Sequence, residues 1–189
     1  MKSPAKELPL TPTLWRTCRV LAGPTRWGLL RHIMETPDRC VSELAEAEGI
    51  SEPRASMELR RLQSRGLVNM YRSGPWTRYR PVTDPKVASA KPLLAAARKA
   101  VAGWPEEETR RVARAFGHER RLKLVQLLQE RARSGDELQE GGKLSRPALF
   151  RHLERLKAGG MVRRSRQGWE LQANPHPLAR TMMDLLNRA

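Results

Sequence analysis

Two stretches near the start of the chain carry apolar residues at three- and four-residue spacing. Trp27, Leu30, Ile33 and Met34 share one face of a helix predicted from Pro24 to Glu35, and Ala55, Leu59 and Leu62 form the stripe of a second from Glu52 to Arg65. A helix from Pro12 to Ala22 precedes them, with Thr11 as N-cap and Pro12 at its first position. Between them lies a short helix from Val41 to Gly49; Ser51 then caps the longer helix and Gly66 stops it. Beyond Gly66 the period changes. Leu67 to Arg72 and Thr77 to Arg80 read as strands flanking Ser73-Gly74-Pro75-Trp76, a hairpin whose tip is longer than the minimal turn. A closing helix runs from Asp84 to about Ala102, interrupted or restarted at Pro92.

The same order then recurs. Ser51, Pro53, Leu59, Leu62, Gly66 and Val68 reappear 94 residues later as Ser145, Pro147, Leu153, Leu156, Gly160 and Val162. Ala22 to Trp27 faces Gly117 to Leu122 at an offset of 95, and Thr83-Asp84-Pro85 faces Ala173-Asn174-Pro175 at 90. A period this long is not that of a solenoid and implies two copies of one small domain. The first spans 11–103 and the second 104–189, divided at Gly103-Trp104-Pro105, with a loose Pro-rich arm at 1–10. The second copy opens with a helix from Pro105 to Gly117, whose Glu106, Glu107 and Glu108 sit where the helix dipole favours acids. Its hairpin is tighter, Val162 to Arg166 and Trp169 to Leu171 around Gln167-Gly168, and its last helix runs from Pro175 to Arg188.

Charge narrows the partners. Lys and Arg number 36 against 20 Asp and Glu, a net charge of +16, which points to a polyanion as partner, nucleic acid above all. The two cysteines form no disulfide framework, and neither a membrane-length apolar run nor a signal peptide is present, so the expected location is the cytoplasm, at the nucleoid. The four histidines are scattered and no Gly-rich phosphate loop occurs, so neither catalysis nor a cofactor is expected.

Pro24-Thr25-Arg26 at a helix start, Val41 to Ala47 leading to Ile50-Ser51, and a hairpin ending in Arg78-Tyr79-Arg80 resemble the winged helix-turn-helix of the ArsR-type bacterial transcriptional regulators. The likeness covers nearly all of both copies. It implies a mainly α fold with small β-hairpin wings, arranged as two tandem winged helix-turn-helix domains. In that family a homodimer binds a palindromic operator, the helix after the turn enters the major groove, and the first and last helices form the dimer interface. Carried onto this chain, the groove-reading helices are 52–65 and 146–159, and the chain is a sequence-specific transcriptional regulator acting as a monomeric pseudo-dimer. A homodimer is the alternative, as is an architectural, assembly or replication-initiation role.

A reading helix needs side chains pointing away from the stripe that anchors it. In the first copy these are Glu52, Arg54, Ser56, Glu58 and Arg60; in the second they are Arg146, Phe150, Arg151 and His152. Arginine can donate two hydrogen bonds to guanine, and phenylalanine can touch a thymine methyl. The wings bring Arg72, Arg78 and Arg80 in one copy and Arg163, Arg164 and Arg166 in the other, suited to phosphate. Many members of the resembling family sense metals through Cys-x-Cys at the start of the short third helix. Here the stretch is Cys40-Val41-Ser42, with Ser134 at the equivalent place in the second copy, so no metal site is expected.

Overall fold

The computed structural model describes residues 12–187. The expected arm at 1–10, the Thr11 cap and the end of the last helix at Arg188 lie outside them.

Helices α1 (Pro12–Leu21), α2 (Pro24–Glu35), α3 (Val41–Glu48) and α4 (Glu52–Gln63) follow the predicted order, with the two-residue strand β1 (Arg39–Cys40) before α3. A hairpin of β2 (Asn69–Ser73) and β3 (Trp76–Arg80) and helix α5 (Ala90–Gly103) complete this half. The remainder comprises α6 (Glu106–Phe116), α7 (Glu119–Glu130), α8 (Gly135–Gly142), α9 (Arg146–Ala158), β4 (Val162–Ser165), β5 (Gly168–Leu171) and α10 (Pro177–Asn187). In the first sheet β3 is central, flanked antiparallel by β1 and β2; in the second, β4 pairs with β5.

Both hairpins depart from expectation at their tips. Ser73 pairs with Trp76, leaving only Gly74 and Pro75 in the first loop. Gly74 adopts φ +60 while the proline ring holds Pro75 near its fixed negative φ. That combination is a two-residue turn with glycine first, whose twist matches the strands. In the second hairpin Ser165 pairs with Gly168, so the loop is Arg166-Gln167 and Gly168 belongs to the strand. Gly168 has φ +121, and a Cβ there would lie 2.3 Å from the Arg133 carbonyl oxygen, so the close approach of the two backbones needs the glycine.

Helix α5 begins at Ala90, not near Asp84. The Asp84 carboxylate accepts from the Lys86 N–H at 2.9 Å and closes a local turn that competes with helix. Pro92 then falls in the first turn, where its missing N–H costs no intrahelical bond. Ser51 and Ser145 do occupy N-cap positions, but neither makes the side-chain cap bond.

The core is continuous from α1 to α10. It contains the expected stripe Ala55, Leu59 and Leu62, together with Trp27, Leu21 and Phe116, all buried; Trp169 is partly so. Helix α1 packs on α6, and α5 packs on α10. Cys18 of α1 reaches Met182 of α10, with the sulfurs 3.2 Å apart, and Thr17 lies 3.3 Å from Ser89 beside α5.

Candidate nucleic-acid interface

Helices α3 and α4 meet through Gly49-Ile50-Ser51, where Gly49 takes the left-handed conformation that lets the chain reverse. Between α8 and α9 the same turn is made by Lys143 at φ 49, a strained choice for a residue with a Cβ. In each pair the second helix buries one face, Ala55, Leu59 and Leu62 on α4 and Leu149, Leu153 and Leu156 on α9. The opposite face is open to solvent.

On α4 that face holds Glu52, Arg54 and Arg60, all exposed, with Ser56 half-buried. Arg54 donates to the Thr25 hydroxyl at 3.1 Å, which steadies it without covering it. Glu58 departs from expectation. It is buried between Arg26 and Arg61, with an ion pair of 2.8 Å to each, and faces the domain interior. Met57 takes the exposed place beside it.

Helix α9 presents Arg146, Phe150 and Arg151 outward. Arg146 pairs with Asp136 at 3.0 Å, but both side chains are about four-fifths exposed, so this is a surface contact easily exchanged for another partner. Phe150 is 62% exposed, uncommon for phenylalanine in a folded chain. Arg151 is exposed, with no side-chain hydrogen bond or ion pair among the described residues. His152, expected on this outward face, turns instead toward the N-cap of α7, its ring 4.7 Å from that of His118. Burial and the neighbouring charges of His118, Arg121, Arg151 and Arg120 push His152 down to about 4, so it is neutral at pH 7.

The wings differ in how many arginines they leave free. In the first, Arg72 is exposed, but Arg78 and Arg80 are engaged at the sheet base. Arg78, expected to face phosphate, donates to the Asp38 carbonyl at 2.6 Å and lies 3.9 Å from Glu43. Arg80 pairs with the Asp38 carboxylate and lies 4.0 Å over the Tyr71 ring, while Tyr71 donates to the same carboxylate at 2.8 Å. Hydrogen bonds from Arg80 and Tyr71 hold the Asp38 carboxyl below its ordinary range. Asp38 is thus the hub of this base, and its φ of 69 after Pro37 is the sharp turn that places it there. Trp76 stands at the wing tip, 53% exposed, and Met70 is also exposed.

In the second wing Arg163 pairs with Glu170 at 2.6 Å, whereas Arg164 and Arg166 are exposed. These two, with Arg146 and Phe150, border a groove between α9 and the hairpin whose floor includes Leu149, Leu153 and Trp169. Guanidinium groups at the rim of this groove suit a charged phosphate backbone.

The two thiols differ in their surroundings. Cys18 is fully buried, and desolvation pushes it up to about 12, which keeps it protonated. Cys40 caps α3, its N–H donating to Glu43 at 2.7 Å and its sulfur 3.0 Å from the Ser42 hydroxyl. Both are free, and no cluster of three or more His, Cys, Asp or Glu suited to a metal occurs among the described residues. No described helix is long and apolar enough to cross a membrane.

The family model for bacterial regulatory proteins of the arsR family matches residues 23–70, from the start of α2 to the first residues of β2. A probable mercury resistance operon repressor of Streptomyces lividans is 42% identical over 97 residues, covering 47% of this chain and 76% of that protein. A putative arsenical resistance operon repressor, ArsR2, of Halobacterium salinarum is 35% identical over 68 residues, covering 35% of this chain and 57% of that protein. No solved structure matches. The family match spans the α3–α4 turn and the outward face of α4, and with the extent of the repressor match it shows that the chain belongs to the arsR family of DNA-binding transcriptional regulators.

Proposed function

We propose that this regulator reads double-stranded DNA in a sequence-specific way as a single-chain pseudo-dimer, in which 11–103 and 104–189 are copies of one winged helix-turn-helix domain. One observation carries the reading. Like helices pack on like: the first helix of each half, α1 and α6, meet, and so do the last, α5 and α10. Contact between the same element of two equivalent units is the signature of a two-fold, isologous association. A matching detail supports it. Arg26 Nε donates to the Val20 carbonyl at 2.8 Å, and Arg121 Nε donates to the Ala115 carbonyl at 2.7 Å, with both partners displaced by the same 95 residues. The Streptomyces repressor is matched over 76% of its own length by 47% of this chain, about one unit's worth.

On this reading Arg54, Ser56 and Arg60 of α4 and Arg146, Phe150 and Arg151 of α9 face base edges, and Arg72, Arg164 and Arg166 of the wings face phosphates, while Arg163, on the other face of β4, is held by Glu170. Arg78 and His152 support the domain from within. Joining the halves in one chain raises their effective concentration well above that of free protomers, so the active unit is a monomer. Both relatives are named operon repressors, and repression is the sense in which the chain acts. The location follows from the target, the nucleoid in the cytoplasm.

Selection of bound sequences from a random duplex pool at fixed salt tests this. Because the outward residues of α4 and α9 differ, two unlike half-sites should emerge, centred about 10–10.5 base pairs apart. A strict inverted repeat, or no enriched motif, contradicts the reading.

A further inference from the structure

The two halves, taken as copies, differ at one buried charge. In the first, Arg26 Nη1 grips the Glu58 carboxylate at 2.8 Å, and Arg61 closes on its other oxygen at 2.8 Å. The corresponding residues of the second half are Arg121, His152 and Arg155. Both arginines remain and the carboxylate is gone.

Arg121 is only 8% exposed. Its Nε and Nη2 donate to the carbonyls of Ala115 and Arg114 at 2.7 and 2.8 Å, at the C-terminal end of α6. Nη1, the atom whose counterpart holds Glu58, donates to no protein acceptor among the described residues and is not sealed from solvent. Arg155 is exposed and has no acidic partner among the described residues. Arg19 of α1 comes in from the first half, its backbone against Gly117. His152 does not fill the carboxylate's role: its ring lies tilted 4.7 Å from that of His118 and is neutral at pH 7.

We propose that the second half carries an oxyanion site, in which a phosphate group takes the place that the Glu58 carboxylate holds in the first. Arg121 Nη1 and Arg155 grip its oxygens, and Arg19 adds positive charge across the junction of the halves. The chemistry is that of the first half: two guanidinium groups converging on one anion, the geometry that suits planar forks and tetrahedral or trigonal oxyanions alike. An occupant would tie α1 to α7 and to the last turn of the reading helix α9. It is either a free phosphate-bearing solute or a phosphate of the DNA backbone. The inference rests on equating the two halves, as the proposed function does.

Inorganic phosphate, compared with chloride at equal ionic strength on the full chain without DNA, provides the first arm. At about ten times its dissociation constant it should raise the wild-type melting temperature by about 3–6 °C. NMR should show the His152 ring titrating at higher pH as the anion arrives. Arg155→Gln should lose most of the thermal shift. His152→Glu, which rebuilds the first half's arrangement, should respond to phosphate not at all. The second arm measures DNA affinity against salt. If free phosphate is without effect but both variants lower the salt slope by about one, the occupant is a backbone phosphate. Equal phosphate shifts in all three proteins overturn the site, as does no shift in the wild type with unchanged salt slopes. A failed operator selection would leave the thermal arm intact, and flat results in both arms would leave the operator intact, so the two readings fail separately.

Discussion

Replacing Glu58 by glutamine removes one negative charge from between two arginines while keeping the volume. The cost follows from how far each partner is from water. Glu58 is 9% exposed at its side chain, Arg26 20% and Arg61 50%. Removing one member of a buried ion pair costs about 3–5 kcal/mol, because the partner is left charged and poorly solvated. Arg61, half in solvent, rehydrates, and its share is nearer the roughly 0–1 kcal/mol of a surface pair. Arg26 keeps its Nε bond to the Val20 carbonyl, which limits its loss. A net destabilisation of about 2–3 kcal/mol results, equivalent to roughly 5–10 °C in melting temperature at this chain length. Urea denaturation followed by far-ultraviolet circular dichroism gives the number directly, provided the slope with denaturant is unchanged. Arg61→Gln should lose less than about 1 kcal/mol in the same assay. A loss below about 0.5 kcal/mol for Glu58→Gln would refute the claim that this carboxylate is a buried anchor.

Other consequences are open to measurement. Arg151→Ala should cost about 1–3 kcal/mol on the selected operator and relax preference at one base, whereas Arg164→Ala should weaken all sequences alike and reduce the salt slope by about one; equal losses on operator and random DNA for Arg151→Ala would remove it from base contact. Cys40→Ser should leave DNA affinity and folding nearly intact, since Ser134 makes the equivalent cap of α8; release of wild-type protein but not this variant by zinc, arsenite or an oxidant would contradict that. His152 and His176 are both pushed down to about 4, chiefly by burial, so they fold neutral while the unfolded chain binds protons from about pH 6.5 downward. Stability should therefore fall as pH drops from about 6.5 toward 4, and His176→Gln, which removes the group lying 3.0 Å from the Thr109 hydroxyl, should flatten part of that slope; a level profile in wild type would be the contrary result.

Helices with a stripe at helical spacing or a clear start and stop signal were legible, and the ends observed for α2, α3 and α4 fall within two residues of those expected, whereas α5 starts at Ala90 and not near Asp84. The strands were legible as strands, but not their register. Gly74 and Pro75 could be counted as part of a longer tip until the pairing of Ser73 with Trp76 showed that they alone make the turn. Sequence spacing also places a side chain on a face only to within one helical step. It put Glu58 and His152 outward, yet their true environment is decided by residues distant in the chain, Arg26 for one and His118 for the other. Asp38 carried no periodic signal at all. It gathers Arg78, Arg80 and Tyr71 only because β1 pairs with β3. What sequence reading could not reach was therefore pairing between distant segments of the chain, which also decides which wing arginines remain available to DNA.

The central claim, that one chain supplies both reading heads, is tested most directly by the mass of the complex. Multi-angle light scattering of the protein bound to its selected duplex should show one 21.5 kDa chain per operator. Two chains on a single operator, with each chain engaging one half-site, would contradict it.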